Sequence, residues 1–235
     1  MIDETMLQKT VGELVKEKPA RAKVFEKFGM NYCCGGKIPL AESCEKFHAD
    51  LDTVLHALSQ VETEPSTNPV DLSTMQLEEL IHYVVDTHHQ YLNDALPRLQ
   101  KIVDRVVHSH GAHHPSLHDI ASLYQTIYQQ LSELVQNEER VAFPLFLQLS
   151  SAGADLRSAA KMQLHALSAE HDEIGIQLKK LRQLTDEFQV SQGMCNSHRA
   201  MLDGFSEFEA DTLKQIHIKN TILFPLVTQK FSLTF

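Results

Sequence analysis

Three side chains able to hold a metal ion, His89, Glu138 and His171, each interrupt an otherwise apolar stripe of a long helical pattern. Two imidazoles and a carboxylate are the smallest donor set for non-haem iron, and they leave positions open for an oxygen species or nitric oxide. Burying them needs compensation, because desolvating a carboxylate costs on the order of several kcal/mol. A second chemical feature stands near the start of the chain, where Cys33 and Cys34 are followed by Gly35 and Gly36. Between a helix end and two glycines, a thiolate could reach a metal, a cluster or another thiol. A disulfide joining the two neighbours would be strained by the short backbone between them. Nothing resembles a phosphate loop or a nucleophile–base arrangement.

The elements that must position these residues are helices. Apolar residues recur at steps of three and four over about 73–108, 116–150, 154–189 and 194–230, joined by short Gly-, Pro-, Ser- or His-rich turns. Four such helices pack most simply up-down-up-down. The inward stripe of the first runs Ile81, Val85, His88 or His89, Leu92 and Leu96; that of the second runs Leu131, Leu134, Glu138, Val141 and Leu145. The third gives Leu164, Leu167, His171, Ile174 and Leu178. The fourth, read back from Ile222, gives Lys219, Gln215, Thr212, Phe208 and Phe205. Helices two and four share a phrase, EERVAFPLF from Glu138 and KNTILFPLV from Lys219, at an offset of 81 residues (138 to 219). An offset of 82 (89 to 171) carries His89 onto His171. The chain therefore reads as two helical hairpins related by a pseudo-twofold, with His89, Glu138, His171 and Lys219 at one depth.

Ahead of the bundle, residues 1–60 read as a small helical domain. Thr10 and Glu13 have capping-box spacing, Pro19 opens a further helix bearing Val24, Phe25 and Phe28, and Gly29 ends it. The acidic, two-proline stretch Val61 to Pro69 marks a linker, so the expected division is 1–60, a linker over 61–72, and a bundle over 73–235. A net charge of −10 argues against nucleic acid or an anionic membrane as partner. No apolar run approaches the roughly 18 residues of a membrane span, and Met1 to Val11 lacks a secretory pattern. Four scattered cysteines suit a reducing compartment, so the expected location is the cytoplasm. Cys44 and Cys195 read as buried small hydrophobes. His108, His110, His113, His114 and His118 crowd one turn, which reads as a solvated end of the bundle able to take up adventitious metal.

Tyr32-Cys33-Cys34-Gly35-Gly36 ahead of a four-helix bundle, His89 eight residues before Pro97, Glu138-Glu139 before Phe143-Pro144, and Glu170-His171-Asp172-Glu173 together resemble the repair-of-iron-centres (RIC) family, also called YtfE, ScdA or DnrN. The resemblance covers almost the whole chain. It implies a short N-terminal domain with a Cys-Cys-Gly-Gly loop, and a hemerythrin-like bundle holding two non-haem irons. It also implies a part in restoring iron–sulfur clusters damaged by nitric oxide or oxidants, by iron donation without turnover, with damaged iron–sulfur proteins as clients. In that family four histidines and two bridging carboxylates hold the irons, and helices two and four each supply a His-x-x-x-Glu just before a Phe-Pro. Residues four apart share a helix face, so one helix can offer both donors.

By position, this sequence keeps His89, Glu138 and His171 of that set. Leu134 stands at the histidine position of helix two, Gln215 at that of helix four, and Lys219 at the position of the bridging glutamate. His217 is turned about 200° from Gln215 and does not substitute for it. A buried Lys219–Glu138 pair would account for the carboxylate without a metal. The other arrangement is one ion on His89, His171 and Glu138, completed by water or Asp211. The expectation is an all-α RIC-like repair protein with zero or one metal ion, working through Cys33 and Cys34. The alternative is a metal-free or single-metal paralogue that acts as a regulatory partner through homo- or heterodimerisation, or as a sensor of nitric oxide or oxygen.

Overall fold

A computed structural model of the chain describes residues 5–30, 32, 36, 38–63, 71–151 and 153–233. Cys33, Cys34 and Gly35 lie outside the described residues, as does residue range 64–70 of the expected linker. Every regular element among the described residues is helical. Five short helices come first: α1 (Thr5–Gln8), α2 (Val11–Glu17), α3 (Ala22–Lys27), α4 (Leu40–Lys46) and α5 (Leu51–Thr63). The capping box forms at α2, where Glu13 N donates to Thr10 Oγ1 at 3.2 Å and Thr10 N to Glu13 Oε2 at 2.8 Å. Pro19 opens a 3-10 turn that leads into α3, and Gly29, at φ +64°, lets the chain leave that helix. Helix α5 continues past residue 60 to Thr63, so the first residues assigned to the linker are helical.

Four long helices follow. Helix α6 joins Leu77–Val84, a π-helical turn Val85–His89, and Gln90–His110. Helix α7 joins Ser116–Asn137, a π turn Glu138–Ala142, and Phe143–Gln148. Helix α8 is Ala154–Leu184, and α9 joins Asn196–Ile218, a π turn Lys219–Leu223, and Phe224–Lys230. The chain is organised as two compact units, one of Met1–Gln76 with Leu213–Leu226, the other of Leu77–Thr212 with Val227–Phe235. A stretch of α9 thus groups with the N-terminal helices, which a purely sequential division did not foresee.

The first unit has its own core, in which Val11, Leu14, Phe25, Leu40, Val54 and Leu58 are almost fully buried. In the second, α6, α7 and α8 pack together with the first part of α9. Tyr124 anchors the packing: its hydroxyl donates to Leu96 O at 2.9 Å, and the rings of Phe205 and Phe208 lie 5.2 and 6.0 Å away. Gly204 gives the Leu99 side chain its space there, since a Cβ would meet the Leu99 Cδ2 methyl.

Prolines explain two of the π turns. A proline inside an α-helix lacks an N–H and collides with the carbonyl four residues back; an i→i+5 turn relieves the clash. Phe143 N bonds to Glu138 O just before Pro144, and Phe224 N bonds to Lys219 O just before Pro225. The extra residue shifts the stripe that follows. Val141, expected inside, is 46 % exposed, and Leu145 is only half-buried, while Ala142, Phe143 and Phe146 are buried. The same step appears in α9, where Leu223 and Phe224 are buried and Ile222 is half-buried. The π turn in α6 has no proline within the next few residues, and the structure offers no backbone cause for it. Its effect is to bury the neighbours His88 and His89 together.

Helix α8 stops five residues before the expected end because Asp186, Glu187 and Phe188 take φ of +50°, +56° and +60°. Arg182 holds this left-handed run, donating to Glu187 at 3.2 Å and lying 4.9 Å over the Phe188 ring, while it also clasps Glu209 of α9. No helix among the described residues is long and apolar enough to cross a membrane.

Candidate metal centre

Glu138 begins the π turn of α7 and is fully buried with His89 and His171. His89 Nε2 lies 2.9 Å from Glu138 Oε2, and His171 Nε2 lies 3.5 Å from Glu138 Oε1. One carboxylate therefore faces an imidazole on each oxygen. The other side of the His89 ring meets Glu139, with Nδ1 2.9 Å from Oε1, and the ring stacks on Phe143 at 5.8 Å. Two consecutive glutamates reach the two nitrogens of one ring because they sit in the widened turn. A carboxylate on Nδ1 is the arrangement that orients an imidazole whose Nε2 is to act as a ligand or a donor. Glu139 was not singled out from sequence; its position next to a buried carboxylate and ahead of Phe-Pro was the available signal.

His88, the other inward histidine of α6, points to a different helix. Its Nδ1 is 2.9 Å from Asp211 Oδ1 on α9, and its ring meets Tyr83 edge-on at 5.8 Å. Asp211, expected as a possible completing ligand beside His89 and His171, is instead taken by His88. Burial, with Asp211 and Glu207 adding negative charge nearby, pushes the Tyr91 hydroxyl up to about 12. This polar cluster lies beside the His89–Glu138–His171 group on the same helix and was invisible without the fold.

The three remaining positions carry no such donors. Leu134 is buried. In the first compact unit, Gln215 and Lys219 are also buried, and Lys219 Nζ donates to Gln215 Oε1 at 3.3 Å, one turn back. His217 is occupied elsewhere: its Nδ1 lies 3.3 Å from Tyr32 O and its ring packs edge-on against the Tyr32 ring at 5.4 Å. Burial pushes His217 down to about 4; the bond to Tyr32 opposes this weakly and Lys16 adds to it. Tyr32 and Gly36 flank Cys33 and Cys34, and both flanks are pinned. Gly12 N donates to Gly36 O at 3.0 Å, and a Cβ on Gly36 would collide with the Tyr32 carbonyl.

Of the two remaining cysteines, Cys44 is buried as expected, and burial raises its thiol. Cys195 is not: it is exposed and lies against His110.

Residues 80–227 match the hemerythrin HHE cation binding domain, and residues 7–62 match ScdA_N, a domain of unknown function. The iron-sulfur cluster repair protein YtfE of Yersinia pseudotuberculosis serotype IB is 30 % identical over 216 residues, which span 92 % of this chain and 95 % of that protein. The YtfE protein of Yersinia pestis strain Pestoides F gives the same identity and coverage. The chain belongs to the RIC family. Its hemerythrin-like domain is of a type that holds non-haem iron in RIC proteins, so the donor set can be tested against that role. His89, Glu138 and His171 are buried donors, and Leu134, Gln215 and Lys219 are buried as well. Two imidazoles and one carboxylate are too few donors to fit a pair of irons. Among the described residues no three His, Cys, Asp or Glu side chains are arranged to hold an ion. His89, Glu138 and His171 are brought together around one carboxylate, which is hydrogen-bonded to His89 and within 3.5 Å of His171.

Proposed function

We propose that this RIC protein takes part in the repair of iron–sulfur centres damaged by nitric oxide or oxidants in the cytoplasm, without the family's pair of irons. The observation that supports this reading most is its coverage: both domains align over 95 % of a protein named for iron–sulfur cluster repair. Cys33 and Cys34 would supply the sulfur ligands that receive or pass iron, on a loop whose flanks are clamped by Gly12 and His217. The protein would act as a donor or scaffold and not as a turnover enzyme. His89, Glu138 and His171 would hold at most one ion, with Glu139 orienting His89.

A second reading is favoured by the Gln215–Lys219 hydrogen bond, which occupies positions where the resemblance puts ligands. In that reading the chain is a metal-free paralogue that binds or regulates an intact RIC protein.

Iron quantitation on untagged protein, combined with recovery of a nitric-oxide-damaged [4Fe–4S] enzyme, separates the two. Repair through the loop requires fewer than two irons per chain and loss of recovery in the Cys33→Ser/Cys34→Ser variant. Recovery that is indifferent to both cysteines, or absent unless an intact RIC protein is added, moves the assignment to the second reading. Two irons with an oxo-bridged spectrum would overturn the ligand reading itself.

A further inference from the structure

At one end of the second compact unit the fold gathers a cysteine and three histidines from separate parts of the chain. Cys195 Sγ lies 3.1 Å from His110 Nε2, at the end of α6 and 85 residues away in sequence. The residue stands one position before α9 and accepts the backbone N–H of His198 at 3.4 Å, so helix amides add to the stabilisation of a negative sulfur. The His198 ring stacks on that of His110 at 6.4 Å. Burial, followed by His110 and His114, pushes the His198 imidazole down from its ordinary value. Arg199, the next residue, donates to Met194 O at 3.2 Å and places a further positive charge on the same turn. A groove of about 250 Å³ runs alongside, lined by Met194 and His198 on either side of Cys195 and by His114, Thr185, Asp186 and Ser191.

We propose that Cys195 is a nucleophilic thiol activated by His110, and that its reaction partners are small disulfides. A cysteine within hydrogen-bond reach of an imidazole, exposed, and beside a groove lined by both polar and apolar side chains has the parts that thiol–disulfide exchange needs. His110 Nε2 takes the proton from Sγ, and the sulfur attacks one sulfur of the disulfide. A new Sγ–S bond forms as the old S–S bond breaks, and the departing thiolate recovers the proton from His110. The balance is one thiol and one disulfide giving a mixed disulfide and one small thiol, with no other oxidant. His110, His114, His198, Arg199 and Asp186 are the titratable or charged groups around the sulfur and its groove; Arg199 favours an anionic disulfide and Asp186 opposes one.

The test uses the full chain and glutathione disulfide, with modification followed at each cysteine by peptide mass. Cys195 is expected to react roughly tenfold faster than the same thiol in the urea-unfolded chain at neutral pH. Its rate should follow an inflection in the imidazole range, and His110→Gln should remove about tenfold of the rate and move the inflection up to the range of an ordinary thiol. His108→Gln, an exposed neighbour in the same tract, should leave both unchanged. A folded-state rate no higher than the unfolded one, or a His110→Gln variant with an unaltered rate and pH profile, overturns the proposal.

Discussion

The π turns of α7 and α9, Glu138–Ala142 and Lys219–Leu223, are built alike and do opposite chemistry. Each precedes a Phe-Pro, each displaces the stripe after it by one residue, and each starts with a fully buried ionisable side chain. In α7 that side chain is a carboxylate facing two imidazoles; in α9 it is an ammonium donating to an amide one turn back. The proline decides where the side chain goes, and the residue type decides what it can hold. Scaffold and side-chain chemistry are therefore separable in this molecule: the same backbone device carries a carboxylate in α7 and an ammonium in α9.

The strongest test of that separation is to restore the donors. Leu134→His, Gln215→His and Lys219→Glu together return all six positions to the RIC pattern, and untagged protein should then carry two irons per chain where the parent carries fewer. A triple variant with no more iron than the parent would mean that the α9 turn differs in backbone and not only in residue type. Next in size is the removal of Glu138. Glu138→Ala leaves His89 and His171 facing an empty space and should lower the unfolding free energy in urea by about 3–5 kcal/mol. Lys219→Met removes a buried charge and keeps the length of the chain, so it should stay within about 1 kcal/mol of the parent. Equal losses would show that α9 holds its ammonium as firmly as α7 holds its carboxylate.

His217 extends the contrast to pH, because α9 has a buried histidine that packs on Tyr32 and stands apart from the ligand positions. Its folded value of about 4 lies below the ordinary 6.5, so between these limits the folded chain binds fewer protons than the unfolded one. Stability from this residue is complete above about 6.5, falls as the pH drops through that window, and stops falling below about 4, a total of about 3 kcal/mol. Urea midpoints between pH 7.5 and 4.5 should decline more steeply in the parent than in His217→Gln. Parallel slopes would remove His217 from the account.

Much of the fold could be read in the sequence because it rests on local rules. Thr10 and Glu13 announce their capping box, Gly29 its left-handed exit, and the apolar steps of α8, and of α7 up to its π turn, give the buried stripes directly. The resemblance to the RIC family rested on short phrases, and those phrases include the three buried donors. What could not be read came from contacts between distant segments. His88 with Asp211 and Cys195 with His110 are separated by 123 and 85 residues, and no periodicity links them. The end of α8 was missed because three successive left-handed residues without glycine have no local signature; the Arg182 contacts that hold them are tertiary. The grouping of Leu213–Leu226 with the N-terminal helices is likewise a property of packing and leaves no mark on hydropathy.

The phase shift at the π turn is the smallest effect and the most direct test of the shared device. The stripe that runs by steps of three and four through Leu131, Leu134 and Glu138 continues, in an uninterrupted helix, to Val141 and Leu145 as the inward residues. The turn reverses this: Val141 is 46 % exposed and Ala142 is fully buried. Val141→Lys should therefore change the unfolding free energy by no more than about 0.5 kcal/mol, as a surface substitution does. Ala142→Leu forces extra carbons into a filled core and should lower it by about 1–3 kcal/mol. The opposite order would mean that α7 in solution runs as a regular helix through Pro144.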